Sequence, residues 1–391
     1  MRDIVVKANK LSGTVFPPPF KSEMIRCLIL SAMSGVRPTD VVRSADNSSD
    51  DIKNAYAAVS KAFFEYEPSE AIPAGESATV LRLLAPVMLA KYGRVRFAVS
   101  PSLYRRDMSA FADCFGCDIR HIGGQFIELC GCLHDNALYT VDAAASSQFA
   151  SGMLLASLTV PGLRVLVSSP VSLPYLDLTL RCISDFGVEM GRGCRGEYYY
   201  KSGTLRMPDD LSFEPDCSYA ANFIAANYII SGKTDRPVTV SGISAGSDQA
   251  DYRIFDHIGN DEIDLTDSPD LFPVLCVASL AKNGYTEISG IKRLRDKESD
   301  RIESTAYLIR AIGGNIEAGD DYVIIRSHGG SLCGGIVDPY GDHRIVMAAS
   351  VASLLCREPV YIKNASCVRK SAPQFFDDFR SLGGIADEYI R

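Results

Sequence analysis

The stretch Leu294–Arg301 (LRDKESDR) decides how the rest of the chain is interpreted. A run of charged and hydroxyl side chains is followed by apolar residues at helical spacing over Ile302–Ile312. This pattern predicts a loop that enters the first turn of a helix. Ser299 and Asp300 are both suitable N-cap residues for that helix.

Three side chains of this stretch could carry chemistry. Lys297 and Arg301 flank Glu298 as anion-binding groups. Cations lower the pKa of a nearby carboxyl group and desolvation raises it, so Glu298 can be adjusted for proton transfer. A solvated helix start with ordinary ion pairs explains the same residues. Other segments have to distinguish the two interpretations.

Length and charge limit the possible classes of protein. The 391 residues exceed what one hydrophobic core usually serves, so we expect two domains. No apolar run is long enough for a membrane span, and Met1–Val6 does not resemble a signal peptide. The net charge of −8 disfavours nonspecific nucleic-acid binding. We therefore expect a cytoplasmic protein with neither nucleic acid nor membrane as a partner.

The cysteines raise the question of a metal site. Twelve cysteines without a signal peptide indicate reduced thiols. Cys114 and Cys117 lie near Cys130, Cys132 and two histidines, but the spacing of the second pair does not fit a standard zinc site. We therefore expect buried or half-buried thiols and no metal.

One sequence pattern recurs along the chain. It is an apolar residue, a glycine and a short polar–apolar alternation, after an amphipathic run. It predicts a helix that ends at a left-handed glycine and is followed by a strand. With one degenerate copy near residues 60–67, we count about six α/β units, three per domain. The clear copies are Phe115–Ile119, Phe186–Met190, Ile258–Ile263, Ile312–Ile316 and Leu382–Ile385.

Two proline-containing segments are candidate crossings between the domains. Gly13–Phe20 contains three consecutive prolines, and Met207–Pro215 contains two. Proline excludes helix interiors and central strands. We therefore predict one domain at 19–214 and the other at 1–18 plus 215–391, with the first strand in the second of these. A double crossing forms a hinge, and domain interfaces often hold ligands.

Several further segments are loops that enter helices, where free backbone N–H groups and the helix dipole favour anions. Each one alone could be a simple helix cap or a surface cation. Their occurrence at equivalent points of repeated units, together with several cations, favours a site for small anions. The side chains concerned are Lys21, Ser22, Arg26, Gly75, Ala78, Arg105, Arg106, Ser146, Ser147, Gln148, Ser172, Tyr175, Asp270, Arg344 and Lys370.

Taken in order, these motifs resemble the EPSP synthase family of enolpyruvyl transferases over nearly the whole chain. The segments that carry the resemblance are Lys21–Arg26, Ser146–Phe149, Leu294–Arg301 and Asp342–Arg344. The resemblance implies an α/β (α+β) fold of two domains, each built from three βαβαββ units and joined by a double crossover.

The resemblance also implies a reaction. The 5-hydroxyl group of shikimate 3-phosphate would attack C2 of phosphoenolpyruvate while C3 is protonated, and the intermediate would then lose phosphate. This step belongs to the shikimate pathway of aromatic amino-acid biosynthesis and implies no cofactor. Asp270 would take the hydroxyl proton and Glu298 would handle the proton at C3, with Lys21 as a third catalytic residue. We expect a monomer.

The same resemblance assigns the substrate contacts. The domain at 19–214 would hold shikimate 3-phosphate, and the other domain would supply most phosphoenolpyruvate contacts and the acid–base residues. Shikimate 3-phosphate would contact Lys21, Ser22, Arg26, Ser146, Ser147, Gln148, Ser172, Tyr175, Asp270 and Lys297. Phosphoenolpyruvate would contact Lys21, Gly75, Ala78, Arg106, Gln148, Arg301, Arg344 and Lys370.

The sequence departs from the family pattern in three places. Pro17–Phe20 replaces the usual Gly-Ser or Pro-Ser before the lysine. Asp107 replaces a proline, which leaves Arg105 and Arg106 as alternatives for one phosphoenolpyruvate contact. Ala78 replaces a common glycine, and its methyl group predicts weak inhibition by glyphosate.

Two alternatives accompany this interpretation. The UDP-N-acetylglucosamine enolpyruvyl transferases usually have asparagine where this chain has Ser22, and they lack the Ser-Ser-Gln segment. A homologue that has lost catalysis and serves in binding or assembly is the other alternative, suggested by the three departures. The presence of Asp270, Glu298 and the cations argues against it.

Overall fold

The computed structural model describes residues 2–8, 10–41, 48–144, 146–231, 236–329 and 331–389. The chain divides into two compact units. We call Met1–Phe20 with Glu214–Arg391 the N/C unit, and Lys21–Phe213 the middle unit. The chain thus leaves the N/C unit after Phe20 and returns to it at Glu214.

Helices and strands alternate through both units. The strands are β1 (Asp3–Lys7), β2 (Gly13–Val15), β3 (Ile72–Gly75), β4 (Arg94–Val99), β5 (Asp118–Ile122), β6 (Phe126–Cys130), β7 (Leu138–Asp142), β8 (Arg164–Ser168), β9 (Val188–Arg192), β10 (Glu197–Gly203), β11 (Val238–Val240), β12 (Glu262–Asp264), β13 (Asn283–Ser289), β14 (Asn315–Ala318), β15 (Tyr322–His328), β16 (Gly335–Val337), β17 (Val360–Ile362) and β18 (Ile385–Tyr389). The α-helices are α1 (Lys21–Met33), α2 (Pro38–Val41), α3 (Asp50–Phe64), α4 (Ala78–Tyr92), α5 (Pro101–Tyr104), α6 (Ser109–Phe115), α7 (Ser147–Ala156), α8 (Leu173–Asp185), α9 (Cys217–Ile229), α10 (Ile254–His257), α11 (Phe272–Ser279), α12 (Arg301–Ala311), α13 (His343–Ala352) and α14 (Phe375–Ser381).

Four sheets share one topology. Their strand orders are β3-β4-β6-β5, β7-β8-β10-β9, β12-β13-β15-β14 and β16-β17-β1-β18. In each sheet the first two strands are parallel, with a helix between them in the chain, and the remaining pairs are antiparallel. A parallel pair requires such a crossover connection. Repetition of one βαβαββ arrangement explains the repeated sequence pattern.

The N-terminal strand completes the last of these sheets. β1 lies between β17 and β18 and pairs antiparallel with both. Its central residues alternate between buried and partly exposed, which is the period-2 pattern of a strand with one face on the core. β1 is thus paired on both sides with strands from the C-terminal end of the chain.

The remaining part of each unit is abbreviated. In the N/C unit, β2 pairs in parallel with β11 as a two-stranded sheet. In the middle unit, α1 packs against α3, and residues 21–41 and 48–71 contain no strand. The segment 13–20 was predicted as a crossing between the domains, and its first three residues form β2. Irregular structure begins at Phe16, directly before the prolines, and Pro19 forms an isolated antiparallel bridge with Pro215.

The two predicted crossing segments are hydrogen-bonded to each other. The Phe20 amide donates to the Glu214 carbonyl at 2.8 Å, and the Asp216 amide donates to the Pro18 carbonyl at 2.8 Å. Proline lacks an N–H group, so the amide donors at this bridge come from the neighbouring residues Phe20 and Asp216.

The five predicted helix-ending glycines all have positive φ. The values are 61° at Gly116, 84° at Gly187, 90° at Gly259, 89° at Gly313 and 96° at Gly383. A strand follows each within a few residues. A side chain with a Cβ atom is strained in this conformation, so these predictions of helix ends are confirmed.

Two helices of the N/C unit are buried on every side. All residues of α11 and all residues of α13 are buried. A helix that is apolar all round belongs in a core, and both helices lie in the continuous apolar cluster of this unit. Their N-terminal ends therefore hold the preceding polar residues in partly desolvated positions. None of the described helices combines the length and the apolar character needed to cross a membrane.

Candidate active site

The stretch Leu294–Arg301 leads into a helix that buries one face and exposes the other. A 3₁₀ turn over Lys292–Asp296 precedes it, and α12 begins at Arg301. Of the two predicted caps, Asp300 is the one observed. Its Oδ1 accepts hydrogen bonds from the Ile302 and Glu303 amides, both at 3.2 Å. The cap fixes the direction in which Arg301 leaves the helix start.

The Arg301 guanidinium joins three carboxylates in the N/C unit. Nη1 lies 2.9 Å from Asp270 Oδ1, Nη2 lies 2.8 Å from Glu298 Oε2, and Nε lies 2.9 Å from Asp342 Oδ2. Arg301 is only 1% exposed. A buried guanidinium requires such partners, because its desolvation is otherwise costly. Burial opposes its charge and the three carboxylates favour it, with the net effect that its pKa is raised.

Two of these carboxylates have a second cationic partner. Arg344 Nη2 lies 2.6 Å from Asp270 Oδ2, and Lys370 Nζ lies 2.6 Å from Glu298 Oε1. Charge-assisted bonds of this kind are short and strong. The structure thus connects five residues that the sequence analysis selected from four separate segments.

Lys297 lies beside this network and is half-buried. Burial lowers the pKa of its ammonium group to about 8; Arg301 and Arg293 act in the same direction, whereas Asp270 and Glu298 oppose it. Among the residues that the structure describes, none forms a hydrogen bond or an ion pair with this ammonium group. It is therefore a cation that can accept a ligand and can also lose its proton near neutral pH.

Asp342 is a partner of Arg301 that was not predicted from the sequence. Asp342 is fully buried and also caps α13, where its Oδ1 accepts a hydrogen bond from the Arg344 amide at 2.9 Å. The signal was an aspartate directly before a helix, which predicts a cap but not its second partner.

The middle unit brings together its own set of predicted residues, beginning at α1. Lys21 is the first residue of this helix, and its Nζ lies 2.9 Å from Asp51 Oδ2 on α3. Asp51 was not predicted from the sequence. The ion pair holds the lysine side chain at the helix start, where the dipole favours anions.

Arg26 connects α1 to α8. Its Nη1 donates to the Ser22 carbonyl at 2.7 Å, Nε to Thr179 Oγ1 at 2.7 Å and Nη2 to the Tyr175 carbonyl at 3.2 Å. Arg26 is 1% exposed. Its contacts place Ser22 and Tyr175 near one another. The observed contacts of Arg26 are thus with the protein's own backbone and hydroxyl groups.

The Ser-Ser-Gln segment forms the start of α7. Ser146 rather than Ser147 is the N-cap, and its Oγ accepts a hydrogen bond from the Gln148 amide at 3.3 Å. Gln148 Nε2 donates to Thr79 Oγ1 at 2.8 Å, and its Oε1 accepts a bond from Arg82 Nη1 at 3.3 Å. Gln148 therefore joins the starts of α7 and α4. Thr79 and Arg82 are further residues that the sequence analysis did not select.

The loop before α4 requires its glycine. Gly75 has φ +58°, and a Cβ atom there would lie 2.7 Å from the Asn54 side-chain amide. Ala78, the first residue of α4, is buried at 6% exposure. The methyl group of Ala78 thus occupies space at the helix start.

The remaining predicted residues of the middle unit lie at two other turns. Arg106 is 8% exposed, whereas Arg105 is exposed. Ser172 precedes α8 in the left-handed region, with φ 52°, and is 7% exposed. No group of three or more potential metal-binding side chains occurs within the described part of the chain.

Comparison with solved structures defines the class of fold. The chain is similar to an EPSP synthase structure from Acinetobacter baumannii, with a TM-score of 0.76 and 21% identity, each chain covered completely. It is also similar to the enolpyruvyl transferase NikO from Streptomyces tendae, with a TM-score of 0.70 and 14% identity, covering 100% of this chain and 99% of that one. The chain therefore has the two-domain, mixed α/β fold of enolpyruvyl transferases, as predicted.

Sequence comparison identifies the family. A model of EPSP synthase (3-phosphoshikimate 1-carboxyvinyltransferase) matches residues 44–262 and 259–379. A protein named 3-phosphoshikimate 1-carboxyvinyltransferase from Clostridioides difficile is 30% identical over 100% of this chain and 99% of its own length. One of the same name from Clostridium novyi is 29% identical with the same coverage. The chain belongs to the EPSP synthase family.

Proposed function

We propose that this chain transfers the enolpyruvyl group of phosphoenolpyruvate to the 5-hydroxyl group of shikimate 3-phosphate and releases phosphate. The observation that carries the proposal is the Arg301 guanidinium, which bonds Asp270 and Glu298 at once. Two carboxylates held a fixed distance apart by one buried cation suit a reaction that needs two proton transfers.

In this proposal the cations of the N/C unit bind phosphoenolpyruvate. Arg301, Arg344 and Lys370 all have carboxylate partners. An arriving carboxylate or phosphate group can take the place of a protein carboxylate on Arg344 or Lys370. That exchange would free Asp270 or Glu298 to carry a proton, so substrate binding would itself activate the acid–base residues.

The middle unit would bind shikimate 3-phosphate at helix starts. Ser22 on α1, Ser146 and Ser147 at α7 and Ser172 at α8 combine hydroxyl groups with free helix N–H groups, which suits a phosphate. Arg26 and Gln148 fix these segments relative to one another through the bonds described above. The burial of Arg106 supports it over the exposed Arg105 as the phosphoenolpyruvate contact of this unit.

The proposed chemistry proceeds in two steps. Asp270 accepts the proton of the 5-hydroxyl group as its oxygen bonds to C2, and Glu298 donates a proton to C3, which converts the methylene group to a methyl group. In the second step the proton returns from C3 to Glu298, the C2–O bond to phosphate breaks, and the double bond is restored. Asp270 passes its proton to the leaving phosphate, which returns both carboxyl groups to their starting states. Lys21, Lys297 and the arginines stabilise the negative charge of both substrates.

Phosphate release from the purified protein tests this function. With both substrates, wild type should release phosphate, and Lys21→Ala and Glu298→Gln should reduce the rate by about 100-fold or more, the usual contribution of a positioned acid–base group. A homologue without catalysis would bind shikimate 3-phosphate in a calorimeter but release no phosphate. Turnover with UDP-N-acetylglucosamine instead of shikimate 3-phosphate would favour the other enolpyruvyl transferase class.

We also propose that the protein acts in the cytoplasm as a monomer. All twelve cysteines are free thiols, which suits a reducing compartment. Light scattering of the purified protein would test the oligomeric state.

A further inference from the structure

Asp251 is a buried carboxyl group with few neighbouring groups that could stabilise its negative charge. It lies in the 3₁₀ turn Ala250–Arg253 of the N/C unit and is 2% exposed. Its Oδ2 accepts a hydrogen bond from Ser218 Oγ on α9. Its Oδ1 is also buried and has no hydrogen-bond partner among the residues that the structure describes. An ionised carboxylate in such a place would be poorly stabilised.

The turn that carries Asp251 is firmly held. Gln249 Oε1 accepts a hydrogen bond from the Cys217 amide at 2.9 Å, and its Nε2 donates to Glu214 Oε2 at 3.0 Å and to the Pro215 carbonyl at 2.9 Å. Asp251 therefore cannot easily turn towards solvent when it ionises.

The charged groups that face Asp251 include the proposed catalytic base. The pKa of Asp251 is raised to about 7, first by burial and then by the charges of Asp270 and Asp216, whereas Arg344 and the Ser218 hydrogen bond oppose this shift. The thiol of Cys217, whose own pKa is raised by burial, is another titratable group nearby. Arg344 is thus shared electrostatically between Asp270, to which it is bonded, and Asp251.

We propose that Asp251 is a positioning residue whose neutral carboxyl group leaves the charge of Arg344 available to Asp270 and to the substrate anion. This inference rests on the proposed function, in which Arg344 binds phosphoenolpyruvate. When Asp251 ionises, a second carboxylate competes for Arg344 and adds a negative charge beside the anion site. Phosphoenolpyruvate binding then weakens, while the chemical groups on the substrates are unchanged.

The pH dependence of the KM for phosphoenolpyruvate tests the proposal. In wild type, KM should rise about fivefold or more across the ionisation of Asp251, the lower end of ordinary coupling between sites. Asp251→Asn, which stays neutral, should lack that rise and retain the kcat of wild type at low pH. Ser218→Ala removes a bond that favours the ionised form, so it should move the rise to higher pH. Identical profiles for wild type and Asp251→Asn would overturn the proposal.

Thermal unfolding gives a readout that does not depend on activity. A carboxyl group that is neutral in the folded chain and ionised in the unfolded chain makes the fold less stable as pH rises from about 4 to 7. The Tm of Asp251→Asn minus that of wild type should therefore be larger at pH 8 than at pH 4. If the Tm difference between Asp251→Asn and wild type does not change with pH, Asp251 is ionised in the folded chain, and the inference is wrong. If this Tm difference grows from pH 4 to pH 8 but the protein releases no phosphate from the two substrates, only the proposed function is contradicted.

Discussion

Arg301 shows how one side chain can organise a site. It is buried, it lies at a helix start, and its three nitrogen atoms each bond a different carboxylate. Removing one partner of a buried ion pair typically costs about 3–5 kcal/mol because the other charge remains buried. Arg301 is therefore expected to matter for stability as well as for binding. Lys297, which is outside these ion pairs, is a cleaner position for functional tests.

Lys297 should make shikimate 3-phosphate binding sensitive to alkaline pH. Its pKa of about 8 means that the ammonium group is charged below pH 8 and loses its proton above it. The second pKa of a phosphate ester is near 6, so the ligand keeps its charge in this range. Calorimetry from pH 7 to 9.5 should show the Kd of shikimate 3-phosphate rising above about pH 8.

Lys297→Arg is the matched control, because guanidinium stays charged throughout this range. Its Kd for shikimate 3-phosphate should change less between pH 7 and 9.5 than that of wild type. A wild-type Kd that stays constant to pH 9.5 would exclude Lys297 as a charged contact.

Ala78 should limit inhibition by glyphosate. Its methyl group is buried at the start of α4. Under the proposed function this methyl group would border the phosphoenolpyruvate site and would obstruct a bulkier inhibitor. Ala78→Gly should lower the inhibition constant of glyphosate measured in the phosphate-release assay, with a smaller effect on the KM for phosphoenolpyruvate. If glyphosate inhibition is unchanged in Ala78→Gly, the steric explanation fails.

At the scale of elements, helix starts deliver the site residues. Asp300 caps α12 and Asp342 caps α13, so two caps position Arg301 and Arg344. Helix starts and glycine ends were predictable because their causes are local: a cap residue, an apolar period and a left-handed glycine. The pairing of Arg301 with Asp342 was not, since these residues are 41 positions apart. Only tertiary packing brings them together.

Asp300→Ala should weaken both the helix and the reaction. Loss of an N-cap costs about 1 kcal/mol, and the loosened helix start no longer fixes Arg301. Urea unfolding should show the loss of stability, and phosphate release should fall in the same variant. Asp300→Asn keeps a capping oxygen but loses the ion pair with Arg295, which is 2.9 Å long. Equal stability of wild type and the alanine variant would contradict the role of the cap.

At the scale of the whole molecule, each unit repeats one βαβαββ arrangement. The sequence predicted this from five glycine-ended helices and two proline segments, and the family fold is confirmed. Apart from one degenerate copy near residues 60–67, it did not predict that the third unit on each side is abbreviated. In the N/C unit the short strands β2 and β11 contribute too few residues for a periodic signal.

The long-range position of β1 has a testable consequence. β1 is a central strand, paired on both edges with strands from the other end of the sequence, and Val6 is fully buried. Val6→Ala should lower the free energy of unfolding by about 2 kcal/mol. Val5→Ala, at a partly exposed position of the same strand, should have a clearly smaller effect in the same urea titration. If the two substitutions lower the free energy of unfolding equally, the face of β1 that packs on the core has been assigned incorrectly.

The most direct test of the central claim, that Glu298 handles the proton at C3, follows deuterium. When wild type converts both substrates in D₂O, C3 should be deuterated and then lose a hydron, so the enolpyruvyl product should carry deuterium in its methylene group by NMR. Glu298→Gln should lose deuterium incorporation and phosphate release together. Deuterium incorporation at the wild-type rate in Glu298→Gln would contradict the account.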